Sequence, residues 1–208
     1  MRSLQVVVLV AAATSWAHAG NPLDKPAFTA TPKELLAAAK TASSDTGAVV
    51  LREDEDTSYD DHGRVTRRFR FVAAITSQDG IEPWSTIWRQ WAPWYEERPT
   101  LRARMIAPTG EVHELDASRI DERSAKAGSL KYVSGAINGL TAGSVVEYEM
   151  VAVDREVPTG GRSISLDIGN YAPTTSTHVT FSAPAALHVH LVERGLPAGV
   201  KANHVVAQ

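Results

Sequence analysis

A turn followed by a long alternating segment constrains the fold of this chain more than any other feature. A tight turn is expected at Asp61, His62 and Gly63, because Asp tolerates and Gly readily adopts a positive backbone φ. Val65, Phe69, Phe71, Ala73 and Ile75 then fall on one face, with Arg67 as the exception, while Arg64, Thr66, Arg68 and Arg70 fall on the other. This period of two predicts a long β-strand with one buried face.

The acidic segment before the turn predicts the register of a hairpin. A three-residue loop pairs Asp60 with Arg64, and continuing outward it pairs Asp56 with Arg68 and Asp54 with Arg70. These pairs share one face, which we expect to be exposed, so each contributes only about 0.2–1 kcal/mol and specifies register more than stability. On the other face Tyr59 meets Val65, Thr57 meets Arg67, Glu55 meets Phe69 and Leu51 meets Ala73.

The same acidic run has an alternative interpretation as a calcium site, because calcium binds several carboxylates. The residues concerned are Glu53, Asp54, Glu55, Asp56, Asp60 and Asp61. Their spacing matches no EF-hand loop, and a solvated strand paired with an arginine-rich strand explains them without a metal.

The remaining chain contains many short alternating segments separated by turns, which is typical of antiparallel β structure. The sequence Thr31-Pro32-Lys33-Glu34 is a capping box with Pro at the first helical position, so one short helix is expected there. The predicted fold is mostly β, an antiparallel β-sandwich with one short N-terminal helix. We divide the chain into a signal peptide at 1–19, a flexible leader and helix at 20–47, and a sandwich module at 48–208.

The first 19 residues have the pattern of a secretory signal peptide. Arg2 supplies a positive start, residues 4–13 are apolar apart from Gln5, and Ala17-His18-Ala19 is a cleavage site before Gly20. The apolar run is too short for a transmembrane anchor. The sequence therefore predicts a periplasmic or secreted protein with no transmembrane segment in its mature chain.

Composition limits the chemistry of this chain. The formal net charge of −3 lacks the excess of positive charge that is typical of nucleic-acid-binding proteins. The sequence contains no cysteine, so it offers no thiolate nucleophile, thiolate metal site or disulfide. We expect no cofactor.

A cluster of aromatic residues is the most distinctive candidate for a binding surface. Trp84, Trp88, Trp91, Trp94 and Tyr95 lie within one short segment. Trp84, Thr86 and Trp88 are expected to share a face of a strand at 82–91. Flat, rigid aromatic rings suit the binding of sugars and peptides, whereas the alternative interpretation places them in the sandwich core.

The C-terminal histidines suggest a second possibility. His188 and His190 fall on one face of a strand expected at 187–192, and with His178 or His204 they could form a three-histidine zinc site. Such pairs also occur on solvent-exposed faces without a ligand. This site would support the alternative function of a metal-dependent hydrolase.

An ordered set of turn motifs resembles a known family. The motifs are Asp60-Asp61-His62-Gly63-Arg64-Val65, Asp79-Gly80, the tryptophan-rich segment, Pro108-Thr109-Gly110-Glu111-Val112, and Leu140-Thr141-Ala142-Gly143-Ser144-Val145-Val146-Glu147-Tyr148, followed by a strand ending at Pro184. From about Val49 onward the chain resembles the uncharacterised domain that precedes transglutaminase-like domains in exported bacterial proteins. It departs from that pattern at Thr109, where the family usually has Asp, and at residues 142–144, where the family has Pro-Gly-Asp.

The resemblance implies a β-rich N-terminal module and no activity of its own. The Cys-His-Asp triad of a transglutaminase-like domain cannot be present, because the chain has no cysteine. We therefore expect a non-catalytic interaction or binding module, truncated or split from its catalytic domain. Its partner would be a protein, an envelope glycan or a separate transglutaminase-like domain. A remnant without a function is a further alternative.

Overall fold

Two β-sheets packed together form the molecule, which confirms the predicted mostly β sandwich. The structure, a computed structural model, describes residues 3–10, 20–125, 129–157, 164, 172–187, 190, 192 and 201–206. In chain order the strands are β1 Ser3–Val10, β2 Ala48–Tyr59, β3 Val65–Ile75, β4 Thr86–Trp91, β5 Thr100–Ile106, β6 Val112–Glu114, β7 Asp121–Ser124, β8 Lys131–Ala136, β9 Val145–Val153, β10 Thr177–Pro184 and β11 Lys201–Val206. The helices are α1 Pro32–Ala39 and α2 Ile81–Trp84, with single 3₁₀ turns at Pro22–Asp24, Gln78–Gly80 and Ala117–Arg119.

The larger sheet has eight strands in the order β11-β1-β10-β2-β3-β9-β5-β6, and the smaller sheet has the order β4-β8-β7. Neighbouring strands are antiparallel except for β2 and β10, which pair in parallel. No described helix is long and apolar enough to cross a membrane. Residues 188, 189 and 191 of the expected strand at 187–192 lie outside the described residues, and so do residues 1–2 and 11–19 of the predicted signal peptide.

One face of the large sheet packs against the small sheet and forms the main hydrophobic core. Alternating residues of β2, β3, β5 and β9 point into this core, where Phe71 stacks on Tyr148 with ring centroids 5.0 Å apart. The small sheet contributes its own inward-facing residues, among them Ile87, Trp91 and Val133. Both sheets therefore bury one face in a shared interior, as the alternating sequence pattern requires.

The opposite face of the large sheet is covered by α1 and by the segment before it. Thr31 caps α1 by accepting from the backbone N–H of Glu34, whose side chain accepts from the backbone N–H of Thr31. This reciprocal capping box confirms the helix predicted from sequence. Leu35 is fully buried against Val72 and Val145 of the sheet.

The segment at 20–29, predicted as a flexible leader, packs against the large sheet. Leu23 and Ala30 are buried in the second hydrophobic core, beside Leu35 of α1. The backbone N–H of Phe28 donates to the carboxylate of Glu147 at 3.0 Å. We call residues 20–30 the strap, because they lie across the large sheet and are fixed there by apolar and polar contacts.

A buried ion cluster fixes the strap to the sheet. Glu147 of β9 has no exposed surface and accepts hydrogen bonds from two arginines. Arg70 of β3 donates from Nε and Nη2 to Oε1 at 3.1 and 2.8 Å, and Arg104 of β5 donates from Nε to Oε2 at 2.8 Å. Arg70 also donates to the backbone oxygens of Leu23 and Lys25, while Arg104 donates to that of Ala30.

The hairpin register predicted from the charges is confirmed over most of its length. Asp56 pairs with Arg68 and Asp54 with Arg70, and Gly63 has a φ of +79°. The expected pairing of Leu51 with Ala73 is wrong, because a β-bulge between Val50 and Arg52 shifts the register and places Val50 opposite Ala73.

The charged face of that hairpin was expected to be exposed to solvent, but part of it is enclosed. The strap covers part of it, so Arg70 and Asp54 are mostly enclosed. Arg68 donates to Glu149 of β9 at 2.7 Å. The short-range charge pattern thus predicted which residues face each other but not what covers them.

Replacing Glu147 with Ala should destabilise the protein by about 3–5 kcal/mol, because it leaves two buried guanidinium groups without their carboxylate. Urea unfolding followed by circular dichroism measures this loss. Glu111→Ala is the matched control, since Glu111 is largely exposed and its ion-pair partner among the described residues is the half-exposed His113. Equal stability of the two variants would contradict the proposed importance of the buried cluster.

Candidate functional site

The tryptophan-rich segment folds as a short helix followed by a strand. Residues 81–84 form α2, and β4 begins at Thr86. The expectation that Trp84, Thr86 and Trp88 share a face of one strand is therefore wrong: Trp84 belongs to the helix and is buried, whereas Trp88 belongs to the strand and is exposed. The helical turn interrupts the period of two that the sequence interpretation assumed.

Two of the tryptophans belong to the core. Trp84 and Trp91 are only 5% and 6% exposed. Trp84 lies against Tyr148 of the large sheet with ring centroids 6.2 Å apart, and the Lys131 ammonium lies 5.6 Å from the Trp91 ring centroid. These residues hold β4 against the large sheet and expose little ring surface of their own.

Trp88 points the other way and is 59% exposed. Its ring meets Tyr132 of the neighbouring strand β8, with centroids 5.8 Å apart and an interplanar angle of 57°. The Gln90 side chain donates to the Tyr132 hydroxyl at 2.8 Å, which fixes the phenol ring beside Trp88. An exposed aromatic pair therefore stands on the side of the small sheet that faces away from the core.

The strand register places polar residues around this aromatic pair. Trp88 lies opposite Ser134, Gln90 lies opposite Tyr132, and the adjoining strand β7 places Arg123 opposite Tyr132. We call this surface the outer face; it consists of Thr86, Trp88, Gln90, Asp121, Arg123, Tyr132 and Ser134. It combines a flat apolar ring with amide, hydroxyl, carboxylate and guanidinium groups.

The small sheet is braced from its inner side. Glu122 of β7 accepts from Lys131 at 2.6 Å and from Arg98 at 3.1 Å. The hydrogen bond from Lys131 is the main reason that the pKa of Glu122 is held below its usual range. These contacts join β7 to β8 and to the segment before β5.

Trp94 and Tyr95 form a second aromatic pair in the turn after β4. Their rings meet edge to face at 5.7 Å, and Trp94 is 54% exposed. Arg155 ties this turn down, because its backbone N–H donates to the Tyr95 oxygen at 2.7 Å and its guanidinium donates to the Pro93 oxygen. Of the five aromatic residues singled out in the sequence, Trp88 and Trp94 thus present the most surface.

A small cavity lies beside Trp88 at the free edge of β4. It has a volume of about 140 Å³, and its lining is Pro83, Trp84, Thr86, Ile87, Trp88, Tyr148 and Met150. Sites for drug-sized ligands usually measure about 300–1,000 Å³. The cavity can accept one side chain or substituent, while the outer face would carry the larger contact.

Tyr132 and Gln90 were not singled out in the sequence. The position of Tyr132 beside Trp88 depends on pairing between strands that are about 40 residues apart. The alternation of β4 was the one available signal, since it places Gln90 on the same face as Trp88.

The candidate zinc ligands are not brought together within the described residues. His188 lies outside them, and His190 is exposed. His178 lies on β10, where its Nε2 is 3.3 Å from Nη1 of Arg52, and His204 lies on β11, of which only the backbone is described. No group of three or more His, Cys, Asp or Glu side chains suited to a metal occurs in the described part of the chain.

A family model covers most of the sandwich. The model of DUF3857, described as a domain of unknown function with a solved structure, matches residues 61–205. The chain belongs to this family. The match includes the hairpin turn, the tryptophan segment and strands of both sheets from β3 onward, and it confirms the resemblance recognised from the turn motifs.

One of three similar solved structures shares this fold. The crystal structure of a candidate protease from Parabacteroides distasonis has a TM-score of 0.62 at 13% identity, and the match covers 79% of this chain and 37% of that chain. An M1 zinc metallopeptidase from Deinococcus radiodurans matches at a TM-score of 0.35 and 13% identity, over 78% of this chain and 39% of that one. A CBM3a-L domain from scaffoldin cipA of Clostridium thermocellum matches at a TM-score of 0.29 and 14% identity, over 55% of this chain and 72% of that one.

Only the first of these similarities is strong enough to describe the fold, and none assigns an activity to DUF3857. This chain spans well under half the length of the candidate protease. No curated protein matches the sequence.

Replacement with Ala should reduce the stability of the protein much more at Trp84 than at Trp88. Trp84→Ala should cost about 3–5 kcal/mol because it leaves a cavity between the sheets, whereas Trp88→Ala should change stability by less than about 0.5 kcal/mol because its ring is exposed. Thermal unfolding of both variants measures the difference. Comparable destabilisation by the two substitutions would contradict the assignment of Trp88 to the surface.

Proposed function

We propose that this chain is the non-catalytic binding module of an exported bacterial transglutaminase-like system, and that the outer face is its contact surface. The observation that carries the proposal is Trp88, whose ring is 59% exposed yet is held in place by Tyr132. Large exposed aromatic rings in a fixed setting are typical of sites where a partner covers them.

The outer face suits a partner that offers both apolar surface and hydrogen-bonding groups. A sugar ring or a peptide side chain can lie on Trp88 while its polar groups meet Gln90, Arg123 or Ser134. Little conformational freedom would be lost on the protein side, because Tyr132 is already fixed by Gln90. An envelope glycan and a protein partner, including a separate transglutaminase-like domain, both have this character.

The non-catalytic role rests on the absence of a suitable nucleophile. Acyl transfer by a transglutaminase-like enzyme needs a thiolate, and the sequence contains no cysteine. The catalytic step of such a system would therefore belong to other residues than these 208. The contribution of this chain would be to bind and position a partner.

Binding should depend on Trp88. We expect the purified protein to co-sediment with peptidoglycan sacculi or to bind a purified transglutaminase-like domain encoded in the same genome. Trp88→Ala should weaken that binding by at least about tenfold, as expected for an aromatic anchor in a contact surface. Co-sedimentation and surface plasmon resonance measure the two interactions.

Trp94→Ala is the matched control, because it removes an exposed tryptophan of the neighbouring turn and leaves the outer face intact. A loss of binding with Trp94→Ala alone would move the contact surface to the turn. Failure of the wild-type protein to bind either probe, or unchanged binding by Trp88→Ala, would count against the proposal.

Export is the second part of the proposal. The signal-peptide pattern predicts a mature protein that starts at Gly20, because Ala17 and Ala19 are the small residues at the cleavage site. Cleavage there would also remove β1, which occupies the sheet between β10 and β11. Mass spectrometry of the protein from a periplasmic fraction checks this, and an intact Met1 on exported material would contradict it.

A further inference from the structure

A polar cavity lies between the strap and the large sheet, on the opposite side of the molecule from the outer face. Its volume is about 400 Å³, which falls within the range of small-molecule sites. The strap forms one wall with Asp24, Lys25, Pro26 and Ala27, and the sheet supplies Arg52, Asp54, Asp56, Arg68, Arg70, Glu149, His178 and Thr180. We call it the strap cavity.

Most charges in the strap cavity are already committed to one another. Arg52 donates to Asp24 at 2.8 Å and to Asp54 at 2.5 Å. The guanidinium of Arg70 donates hydrogen bonds to Glu147, Asp54 and the strap oxygens. The contacts of Arg52 with Asp24 and of Arg70 with the strap oxygens join the strap to the sheet and fix the two walls of the cavity relative to each other.

Asp56 and Arg68 differ from these neighbours. They face each other across β2 and β3, but Arg68 donates to Glu149 and Asp56 forms no ion pair with any other described residue. The hydrogen-bond partner of Asp56 is the Thr180 side chain. Enclosure by the cavity walls raises the pKa of Asp56, although its side chain stays accessible to solvent.

Arg68 keeps binding capacity of its own. Its side chain is 51% exposed, and within the described residues it donates through Nη1 to Glu149 alone. A guanidinium carries five N–H donors in a planar fork that suits a carboxylate. An accessible carboxyl group and an accessible guanidinium group thus stand side by side in one concave site.

We propose that the strap cavity binds a zwitterionic α-amino acid, with Asp56 receiving its ammonium group and Arg68 its carboxylate. Cross-strand neighbours stand about 5 Å apart at Cβ, which suits the short separation between the two charged groups of an α-amino acid. A ligand with one charge would engage only one of these two side chains. The cavity is larger than the backbone of an amino acid, so its side chain has room beside Lys25 and His178.

The site is independent of the proposed function, because the outer face and the strap cavity lie on different layers of the molecule. Failure of the Trp88 experiment would leave this inference untouched. The reverse also holds, since Asp56 and Arg68 have no contact with β4 or β8 among the described contacts.

Isothermal titration calorimetry of the purified protein with glycine, L-glutamate, L-lysine and L-phenylalanine tests the inference. At least one of these should bind with a dissociation constant below about 10 mM. Asp56→Asn and Arg68→Gln should each weaken that binding by at least about tenfold, because each removes a charge-assisted hydrogen bond. Asp61→Asn and Arg119→Gln are matched controls at exposed positions outside the cavity, and they should bind as the wild type does.

Two analogues of the amino acid that binds make the test independent of the variants. Its N-acetyl derivative lacks the ammonium group and its amide lacks the carboxylate, so both should bind the wild-type protein at least about tenfold more weakly. The inference is overturned if none of the four amino acids binds, if either analogue binds as well as its parent, or if folded Asp56→Asn and Arg68→Gln proteins retain full affinity.

Discussion

The carboxylate of Glu147 is the group on which the layered structure depends. It lies without exposed surface between the guanidinium groups of Arg70 and Arg104 and also accepts from the backbone N–H of Phe28. These contacts join three adjacent strands and the strap through one side chain. A buried charge is costly to desolvate, and removal of one partner exposes that cost in full. The cluster therefore favours one position of the strap over alternatives more than it adds net stability.

The position of the strap determines how much of the outward face of the large sheet is buried. With the strap and α1 on one side and the small sheet on the other, the central strands β3 and β9 are covered on both faces. Their sequences nevertheless alternate, because one covering layer is apolar and the other is partly ionic. An alternating strand is usually solvated on its polar side. Here part of the polar side is enclosed, which also creates the strap cavity.

Local features of the fold were predictable from the sequence, and features that depend on distant segments were not. The turn at Gly63, the charge register of Asp56 with Arg68, and the capping box of Thr31 with Glu34 each depend on residues close together in the chain. The bulge beside Leu51 has no clear local signal. The ion cluster joins residues up to about 120 positions apart, so a pattern search along the chain could not connect Phe28 with Glu147.

The tryptophan-rich segment of the candidate site also combines features that the sequence predicted with features that it did not. The concentration of tryptophans indicated a special surface, but the helical turn at Ile81–Trp84 changed which of them could form it. Side chains alternate strictly along β4, so Trp91 points into the core and Trp88 points away from it. The buried ring fixes the strand that carries the exposed one, and Tyr132 then fixes the exposed ring from the side. A contact surface built in this way loses little conformational entropy when a partner binds, which is why the burial of Trp91 matters to the binding role of Trp88.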